Sequence, residues 1–323
     1  MIEEIYSHLT RNGINCQLNE SLKKISWLKS GGTCNIFVAP TNIQDLSSTV
    51  DFFSQKDLDF DIIGWSSNIY FLDNYHPNIV VSTRNVNRFS DENEFIYCEC
   101  GVNISTLAKY AVSKGYKGYS GFINLPGCIG SAICNNSSCF DCRISDILID
   151  LQFYDFKNKR IITLTAKDLN FSHRDSSIKN GLLKGIILTA RLSKEKGNPH
   201  RETHLAHEAT KTRKETQEVA AYTLGSVFAT RVLRKNWRNF AYRSISFFLR
   251  KICKSSTAIS IRLLLFLYGY SDLRNYISNK NINTFIWKQR ENENLQNCFF
   301  RYMNFMNEVY LAPRLEIEIK GNY

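Results

Sequence analysis

Short segments rich in β-branched and aromatic residues alternate with amphipathic segments, and this alternation limits the folds that the chain can adopt. Turn residues bound the strand-like segments at 34–40, 60–65, 78–83, 95–101, 144–156, 159–165 and 184–192. Apolar residues recur at helical spacing at 41–53, 103–115 and 293–310. Because strands and amphipathic helices are mixed, the pattern predicts an α/β or α+β protein.

The segment LEIEIK at 315–320 alternates strictly between apolar and charged residues. Successive side chains of a strand point to opposite faces, so the pattern predicts one continuous strand. Leu315, Ile317 and Ile319 are expected to be buried. The charged residues between them are expected to face solvent.

The positive charge of the chain is concentrated in one segment. The net charge is +11, and residues 231–262 contain nine Lys or Arg and no Asp or Glu. A polar segment at 193–220 precedes it and is predicted to be a linker or an exposed helix. The cations could bind the pyrophosphate of a nucleotide sugar or another anionic saccharide, or they could form a solvated helical face.

Two glycine-containing turns are candidates for binding phosphate. PGCIGS at 126–131 precedes a short apolar run, and GWSSN at 64–68 follows a strand that ends at Ile63. Glycines let backbone N–H groups converge on an anion, and hydroxyls and amides at the end of a strand suit the oxygens of a nucleotide. Taken singly, each turn is equally compatible with an ordinary loop.

The second turn continues into a longer motif of a known family. PGCIGSAICNNSSCFDCRISD at 126–146 aligns without a gap with the family motif PGxxGGAxxxNAGAYGxxISD. The matching residues are Pro126, Gly127, Gly130, Ala132, Asn136, Ile144, Ser145 and Asp146. The chain therefore resembles the UDP-N-acetylenolpyruvoylglucosamine reductase (MurB) family, within the FAD-binding (vanillyl-alcohol-oxidase-like) superfamily.

Other segments extend the resemblance in the same order as in the family. They are SWLKSGGTCNIFVAPTN near the start, LTAKDLNFSHRDSSIK, LGSVF, and LAPRLEIEIKG near the end. The resemblance implies an α+β fold with a two-part FAD-binding domain of the MurB type and a divergent C-terminal α+β substrate domain. The predicted domains are 1–84, 85–220 and 221–323, and the terminal strand 314–320 is expected to pack back on the FAD domain.

The resemblance also implies cofactors, a substrate and site residues. FAD and NADPH are the expected cofactors, and an enolpyruvyl sugar nucleotide is the expected substrate, reduced to its lactyl ether. The residues expected to bind the cofactor are Gly64, Ser66, Ser67, Asn68, Pro126, Gly127, Gly130, Ser131 and Asn136. The expected catalytic residues are Ser226 as proton donor, with Arg174 and Glu316 stabilising the developing enolate.

The residues themselves leave alternatives open at each catalytic position. Arg174 lies in a polar loop and could be a surface arginine, and Ser226 could be a turn serine. Periodicity does not choose Glu316 over Glu318.

The family usually has glycine at positions 65, 66 and 131, where this chain has Trp, Ser and Ser. Each replacement costs on the order of 1 kcal/mol if the backbone there needs a positive φ.

Neither the cysteines nor the histidines show the spacing of a typical metal site. Cys128, Cys134, Cys139 and Cys142 lack the paired CxxC spacing of structural zinc, so we expect small thiols that fill a tight loop and no metal. The histidines at 200, 204 and 207 would align along a helix, but their stretch reads HRETH instead of HExxH. Without an export signal, the ten cysteines indicate a cytoplasmic protein.

The sequence is compatible with three functions. The first is the NADPH-dependent flavoprotein reductase of peptidoglycan and cell-wall synthesis, a cytoplasmic monomer with no membrane span and no nucleic-acid partner. The second is a non-catalytic or repurposed flavin-fold protein in surface-polysaccharide assembly. The third is a binding module in which 231–262 contacts nucleic acid or an anionic membrane, with the aromatic residues Trp237, Phe240 and Tyr242 among its cations.

Overall fold

The computed structural model describes residues 1–218, 222–253, 256–288 and 294–322. They divide into two compact units. Unit 1 comprises 1–20, 33–65 and 76–211, and unit 2 comprises 21–32, 66–75 and the described residues from 212 onward. The predicted boundaries 1–84, 85–220 and 221–323 stay a prediction.

Ten α-helices lie in the described residues, and the longer ones begin where the sequence offers a cap. Asn42, Asn103 and Asn294 each accept a hydrogen bond from the backbone N–H three residues on, as N-caps do. The helices are α1 (Ile2–Arg11), α2 (Leu22–Ile25), α3 (Ile43–Gln55), α4 (Ile104–Ser113), α5 (Ile129–Cys134), α6 (Ile144–Ile147), α7 (Pro199–Thr216), α8 (Trp237–Ile252), α9 (Ser256–Tyr268) and α10 (Leu295–Val309).

The strands of the described residues are mostly short. They are β1 (Cys16–Ser21), β2 (Thr33–Val38), β3 (Asp61–Ile63), β4 (Ile69–Phe71), β5 (Ile79–Ser82), β6 (Phe89–Asp91), β7 (Phe95–Glu99), β8 (Ser138–Cys139), β9 (Cys142–Arg143), β10 (Leu148–Asp155), β11 (Arg160–Thr165), β12 (Gly185–Ser193), β13 (Tyr222–Thr223), β14 (Phe228–Leu233), β15 (Ile286–Trp287), β16 (Tyr310–Leu315) and β17 (Glu318–Lys320).

Unit 1 contains two sheets around one apolar core. The first has the order β1-β2-β5-β3, with β5 parallel to both β2 and β3. The second is antiparallel where its register is defined, in the order β11-β10-β12-β7-β6. The apolar faces predicted for α3 and α4 are buried in this core, which confirms the helical spacing read from the sequence.

Unit 2 has a separate core built on α9 and α10. Phe299, Tyr302, Met306 and Val309 of α10 are fully buried there, as their spacing predicts. Short ladders complete the unit, with β14 antiparallel to β16, β13 antiparallel to β15, and β17 parallel to β4. The mixed architecture of the two units confirms the predicted α+β fold class.

The predicted terminal strand 315–320 is wrong in detail. The structure contains two strands with different partners, because β16 ends at Leu315 on β14 whereas β17 starts at Glu318 on β4. The break interrupts the alternation, and only Ile317 of the three apolar residues is buried. Strict alternation is a local signal, and it does not report that the partner strand changes midway.

The polar segment before the basic one is a helix instead of a linker. The helix α7 spans Pro199–Thr216, and all three histidines predicted to align along it are exposed. The basic segment forms the end of β14, α8 and the start of α9, and its Lys254 lies outside the described residues. No helix in the described part of the chain is long and apolar enough to cross a membrane.

Candidate functional site

The first turn begins where β3 ends, and its glycine lies against the second turn. The Ile63 carbonyl accepts a hydrogen bond of 2.9 Å from the Thr83 N–H, which holds the end of β3 beside the end of β5. A Cβ added to Gly64 would lie 2.7 Å from the Cys128 Sγ and 3.8 Å from the Ser131 Cβ. Within unit 1 the structure therefore brings the starts of both predicted turns together, and a side chain at 64 would occupy the space between them.

The second turn has a physical need for both of its glycines. Gly127 has φ of +128°, which residues with a side chain rarely adopt. Gly130 donates a 2.8 Å hydrogen bond to the Cys100 carbonyl, and an added Cβ there would lie 3.1 Å from the Cys100 Cβ. This backbone is therefore packed tightly against the end of β7.

Ser131 has an unstrained backbone, and its hydroxyl makes hydrogen bonds within the second turn. Its hydroxyl donates to the Cys128 carbonyl at 2.9 Å and accepts from the Cys128 N–H at 3.2 Å. Neither Ser131 nor Trp65 has a positive φ, whereas Ser66 has φ of +51°. Of the three glycine replacements, only that at Ser66 requires the left-handed backbone that glycine favours.

Arg84 is a candidate site residue that the sequence analysis did not single out. Its Nη2 donates to the Trp65 carbonyl at 3.4 Å, and its guanidinium lies 5.2 Å from the centre of the Trp65 ring. Burial lowers the pKa of Arg84, and the neighbouring Cys128 thiol opposes that shift. A signal was present, because Arg84 lies two residues after the end of β5, and ligands of parallel sheets bind at the carboxyl ends of strands.

Asn136 and the segment of Arg174 lie together at the end of α5 in unit 1. The Asn136 amide donates to the Ser172 carbonyl at 2.7 Å, and the Ser176 hydroxyl donates to the Cys134 carbonyl at 2.6 Å. Arg174 has φ of +60°, is half-buried, and its carbonyl accepts from the Lys179 ammonium at 3.0 Å. The loop holding this arginine is therefore tightly anchored, as a positioned cation requires.

The rest of the first turn belongs to unit 2. Ser66 is only 4% exposed, and its hydroxyl accepts a 2.9 Å hydrogen bond from the Trp27 N–H. Ser67 and Asn68 are half-buried. The Asn68 carbonyl accepts from the Glu318 N–H at 2.9 Å, and its side-chain amide donates to the Glu316 carbonyl at 3.3 Å. Asn68 is thus tied to the last strands of the chain.

A further hydrogen bond brings the backbone of Glu316 close to that of Ser226 in unit 2. The Glu316 N–H donates to the Val227 carbonyl at 2.9 Å, directly beyond the Phe228–Leu315 pair of β14 and β16. Ser226 is the residue before Val227, and both Ser226 and Glu316 are half-buried. Glu318 instead pairs with Ile69 of β4. The structure therefore distinguishes the two glutamates that periodicity alone could not.

Unit 2 also contains a cationic cavity. It has a volume of about 330 Å³, and Arg262, Arg274 and Lys288 line it together with Asn275 and Asn279. Cations and amides in one cavity suit the oxygens of a phosphate or a carboxylate. Arg262 is the only member of the predicted basic segment among these lining residues.

The cysteines near the second turn are thiols in tight surroundings. All ten cysteines lie in the described residues, and none of them forms a disulfide there. Burial raises the pKa of Cys100 and of Cys142, so both are neutral thiols near pH 7. No group of three or more His, Cys, Asp or Glu placed to hold a metal occurs in the described ranges.

The residues of unit 1 fit a dinucleotide cofactor. Gly64 and Gly130 let the backbone of the two turns pack closely, and Arg84 places a guanidinium beside the first turn. The Asn136 Oδ1 is buried and has no hydrogen-bond partner among the described residues, so it could accept from a ligand. Close backbone turns, a cation and a buried acceptor suit a diphosphate and a polar ring system.

Comparison with known proteins supports the resemblance found in the motifs. Residues 34–165 match the FAD binding domain family. A UDP-N-acetylenolpyruvoylglucosamine reductase from Caldicellulosiruptor saccharolyticus is 28% identical over 210 residues, 65% of this chain and 67% of the relative. One from Pelagibacter ubique is 25% identical over 321 residues, 99% of this chain and 98% of the relative. Over nearly its whole length, the chain is similar to UDP-N-acetylenolpyruvoylglucosamine reductases.

A solved reductase structure shares the fold. The UDP-N-acetylenolpyruvylglucosamine reductase (MurB) from Thermus caldophilus superposes with a TM-score of 0.66 and 16% identity, covering 95% of this chain and 99% of that one. With an FAD binding domain and this similarity to the reductases, the protein is a flavoprotein, which confirms the FAD predicted from its motifs. The roles of individual residues stay predictions.

A substitution at Gly64 tests whether the two turns enclose the cofactor. Gly64→Ala is expected to weaken FAD binding about tenfold, or ~1.4 kcal/mol, because its Cβ would meet the Cys128 Sγ at 2.7 Å and force the turns apart. The measurement is the FAD dissociation constant, with the ratio of flavin to protein absorbance as a second readout.

The matched control removes the obstructing sulfur. Cys128→Ala alone is expected to keep near-normal FAD affinity, and Gly64→Ala combined with Cys128→Ala is expected to recover most of the loss. A double variant that binds FAD no better than Gly64→Ala would contradict this account of the turns.

Proposed function

We infer that the protein is an FAD-dependent reductase that converts an enolpyruvyl sugar nucleotide into its lactyl ether with NADPH. The observation that carries this proposal is the backbone connection of Asn68, Glu316 and Ser226 in unit 2. It supports the proposal because the backbone of Glu316 lies beside that of Ser226, and these are the two residues that the family motifs suggest as acid and proton donor.

The reaction defines what the protein must supply. Reduction of an enolpyruvyl double bond adds a hydride to one carbon and a proton to the other, and negative charge develops on the carboxyl side between the two steps. When bound, FAD supplies the carrier for a hydride taken from NADPH. The remaining requirements are orientation of the substrate, stabilisation of the enolate and a proton.

We assign these requirements to three side chains. Arg174 would bind the substrate carboxylate with its planar guanidinium, which is always charged. Glu316 would support the enolate if its carboxyl is protonated or balanced by a cation, and Ser226 would donate the proton. A serine is a weak acid, so this role needs the carbanion formed directly beside its hydroxyl.

The substrate is proposed to bind through its anionic groups. The cavity lined by Arg262, Arg274 and Lys288 fits a nucleotide diphosphate by charge. A cytoplasmic location follows from the free thiols, which persist in reducing compartments, and from the need for NADPH. We further propose that the reductase is a monomer with no nucleic-acid partner, acting in cell-wall synthesis.

A two-step titration tests the proposal. The purified protein is expected to be yellow, and NADPH is expected to bleach its flavin absorbance without oxygen. UDP-N-acetylglucosamine enolpyruvate is then expected to restore the oxidised absorbance in proportion to the substrate added. Protein that stays colourless after incubation with FAD would overturn the flavin role.

One outcome of this titration distinguishes the proposed reductase from the competing hypothesis. Flavin that NADPH reduces, but that no enolpyruvyl sugar reoxidises, would indicate a repurposed flavin-fold protein in surface-polysaccharide assembly. The strained Ser66 backbone and the divergent substrate unit are the observations that keep this alternative worth testing. Reoxidation by UDP-N-acetylglucosamine enolpyruvate would exclude it.

A further inference from the structure

The helix α8 exposes its apolar face instead of burying it. Trp237, Phe240, Phe247, Phe248 and Ile252 are 69%, 74%, 56%, 61% and 83% exposed. Their spacing places them on one side of the helix, together with Ser244 and Lys251, and this side is here called the α8 apolar face. Exposed apolar surfaces of this kind indicate an interaction site in a folded protein.

The opposite side of α8 is small and polar, and it is the side that is buried. Asn239 is 2% exposed and Ser246 is 1% exposed. Asn239 donates from its amide to the Arg234 and Val309 carbonyls at 2.9 Å, which fixes the rotation of the helix in unit 2. Ser260 of the adjacent α9 is also buried, at 6% exposed. Small polar residues inside and large apolar residues outside are typical of helices that meet lipid.

Cations border the α8 apolar face. Arg243 and Arg250 are exposed on one flank, and the half-buried Arg238 lies on the other. The Lys251 ammonium lies 4.6 Å from the centre of the Phe247 ring, and its helical position falls within the face. No Asp or Glu occurs in 231–262. A helix with an apolar face and flanking cations is suited to the boundary between lipid headgroups and acyl chains.

The charge pattern argues against the other possible occupants of this face. A symmetric dimer through α8 would bring the flanking cations of one copy against those of the other, with no acidic residue of the segment to balance them. Nucleic acid would need a mainly cationic contact surface to meet its phosphates, whereas five large exposed apolar side chains make up most of this face.

We propose that the α8 apolar face docks the protein on the surface of an anionic lipid bilayer. The apolar side chains enter the interface, and the flanking arginines and Lys251 bind the lipid phosphates. This places the protein on the membrane without a spanning segment. The proposal is independent of the reaction assigned above, because it uses no residue of the FAD turns and none of the three proposed catalytic side chains.

Vesicle sedimentation tests this with the full chain. The protein is expected to sediment with vesicles of phosphatidylcholine and phosphatidylglycerol, and at least about tenfold less with phosphatidylcholine alone. Binding is expected to weaken as salt is added. Phe240→Ser combined with Phe247→Ser is expected to lower the bound fraction about tenfold, since it removes two apolar contacts and keeps every cation.

Matched variants test whether vesicle binding depends on the α8 apolar face, on any exposed apolar residue, or on charge alone. Leu182→Ser alters a side chain that is 75% exposed in unit 1, and it is expected to leave vesicle binding unchanged. Arg243→Gln combined with Arg250→Gln is expected to reduce both binding and its salt dependence. These positions are exposed, so all variants are expected to keep the wild-type circular dichroism spectrum and flavin content.

Three results would overturn the proposal. The first is no sedimentation with anionic vesicles at low salt. The second is a wild-type dimer in gel filtration that Phe240→Ser with Phe247→Ser dissociates, without vesicle binding. The third is binding of a fluorescent oligonucleotide through the same face while vesicles are not bound. Trp237→Phe serves as a fluorescence control. A change in tryptophan emission on vesicle binding that this variant lacks comes from Trp237, at the start of α8.

Discussion

Ser226→Ala is expected to lower the rate of enolpyruvyl sugar reduction by about 10²–10⁴-fold, the usual contribution of a positioned proton donor. The reduction of flavin by NADPH is expected to keep its wild-type rate, because that half-reaction takes no proton from Ser226. Rapid-mixing absorbance measurements follow the two half-reactions separately, one as bleaching by NADPH and the other as reoxidation by the sugar nucleotide.

The control must show that the effect comes from the hydroxyl at position 226. Ser244→Ala changes another half-buried serine of unit 2, on α8, and is expected to leave both half-reactions unchanged. Equal slowing of the two half-reactions by Ser226→Ala would indicate a structural defect. Unchanged reoxidation would remove Ser226 from the mechanism.

Gly101→Ala is expected to destabilise unit 1 by more than about 3 kcal/mol and to reduce the yield of folded protein sharply. A Cβ there would lie 2.0 Å from the Thr83 carbonyl oxygen and 2.6 Å from that of Val86. Both obstacles are backbone atoms, and Gly101 itself donates to the Val86 carbonyl at 2.8 Å. The loop at 83–86, which carries Arg84, cannot move away without losing that hydrogen bond.

Urea unfolding measures the loss, and a second glycine separates steric overlap from backbone strain. Gly181 has φ of +81° and no atom within 4 Å of an added Cβ. Gly181→Ala is therefore expected to cost only about 1 kcal/mol, from its left-handed backbone. Gly101→Ala within about 1 kcal/mol of wild type would contradict the close approach.

Much of the fold was predictable because its signals are local. The apolar spacing of α3, α4 and α10 agrees with their buried faces, and their Asn caps lie where the helices begin. The glycines of the second turn were also recognisable, since a positive φ at Gly127 and close packing at Gly130 leave little choice of residue.

Other features depend on which segments meet, and no local pattern reports that. The position of Arg84 after a strand is visible in the sequence, but its place beside the Trp65 carbonyl depends on the pairing of β3 with β5. Glu316 could be distinguished from Glu318 only by the hydrogen bond to Val227 and the pairing of Glu318 with Ile69. Cross-strand pairing joins residues that are distant in sequence, so it is set by the whole fold.

By itself, the sequence determined the mixture of strands and helices, the two glycine-bearing turns and the family, because these rest on residue type and short-range spacing. Tertiary structure alone decided the division of the last strand between two partners and the outward rotation of the apolar face of α8. An amphipathic sequence defines two helix faces, but only the packing of the surrounding chain determines which one is buried.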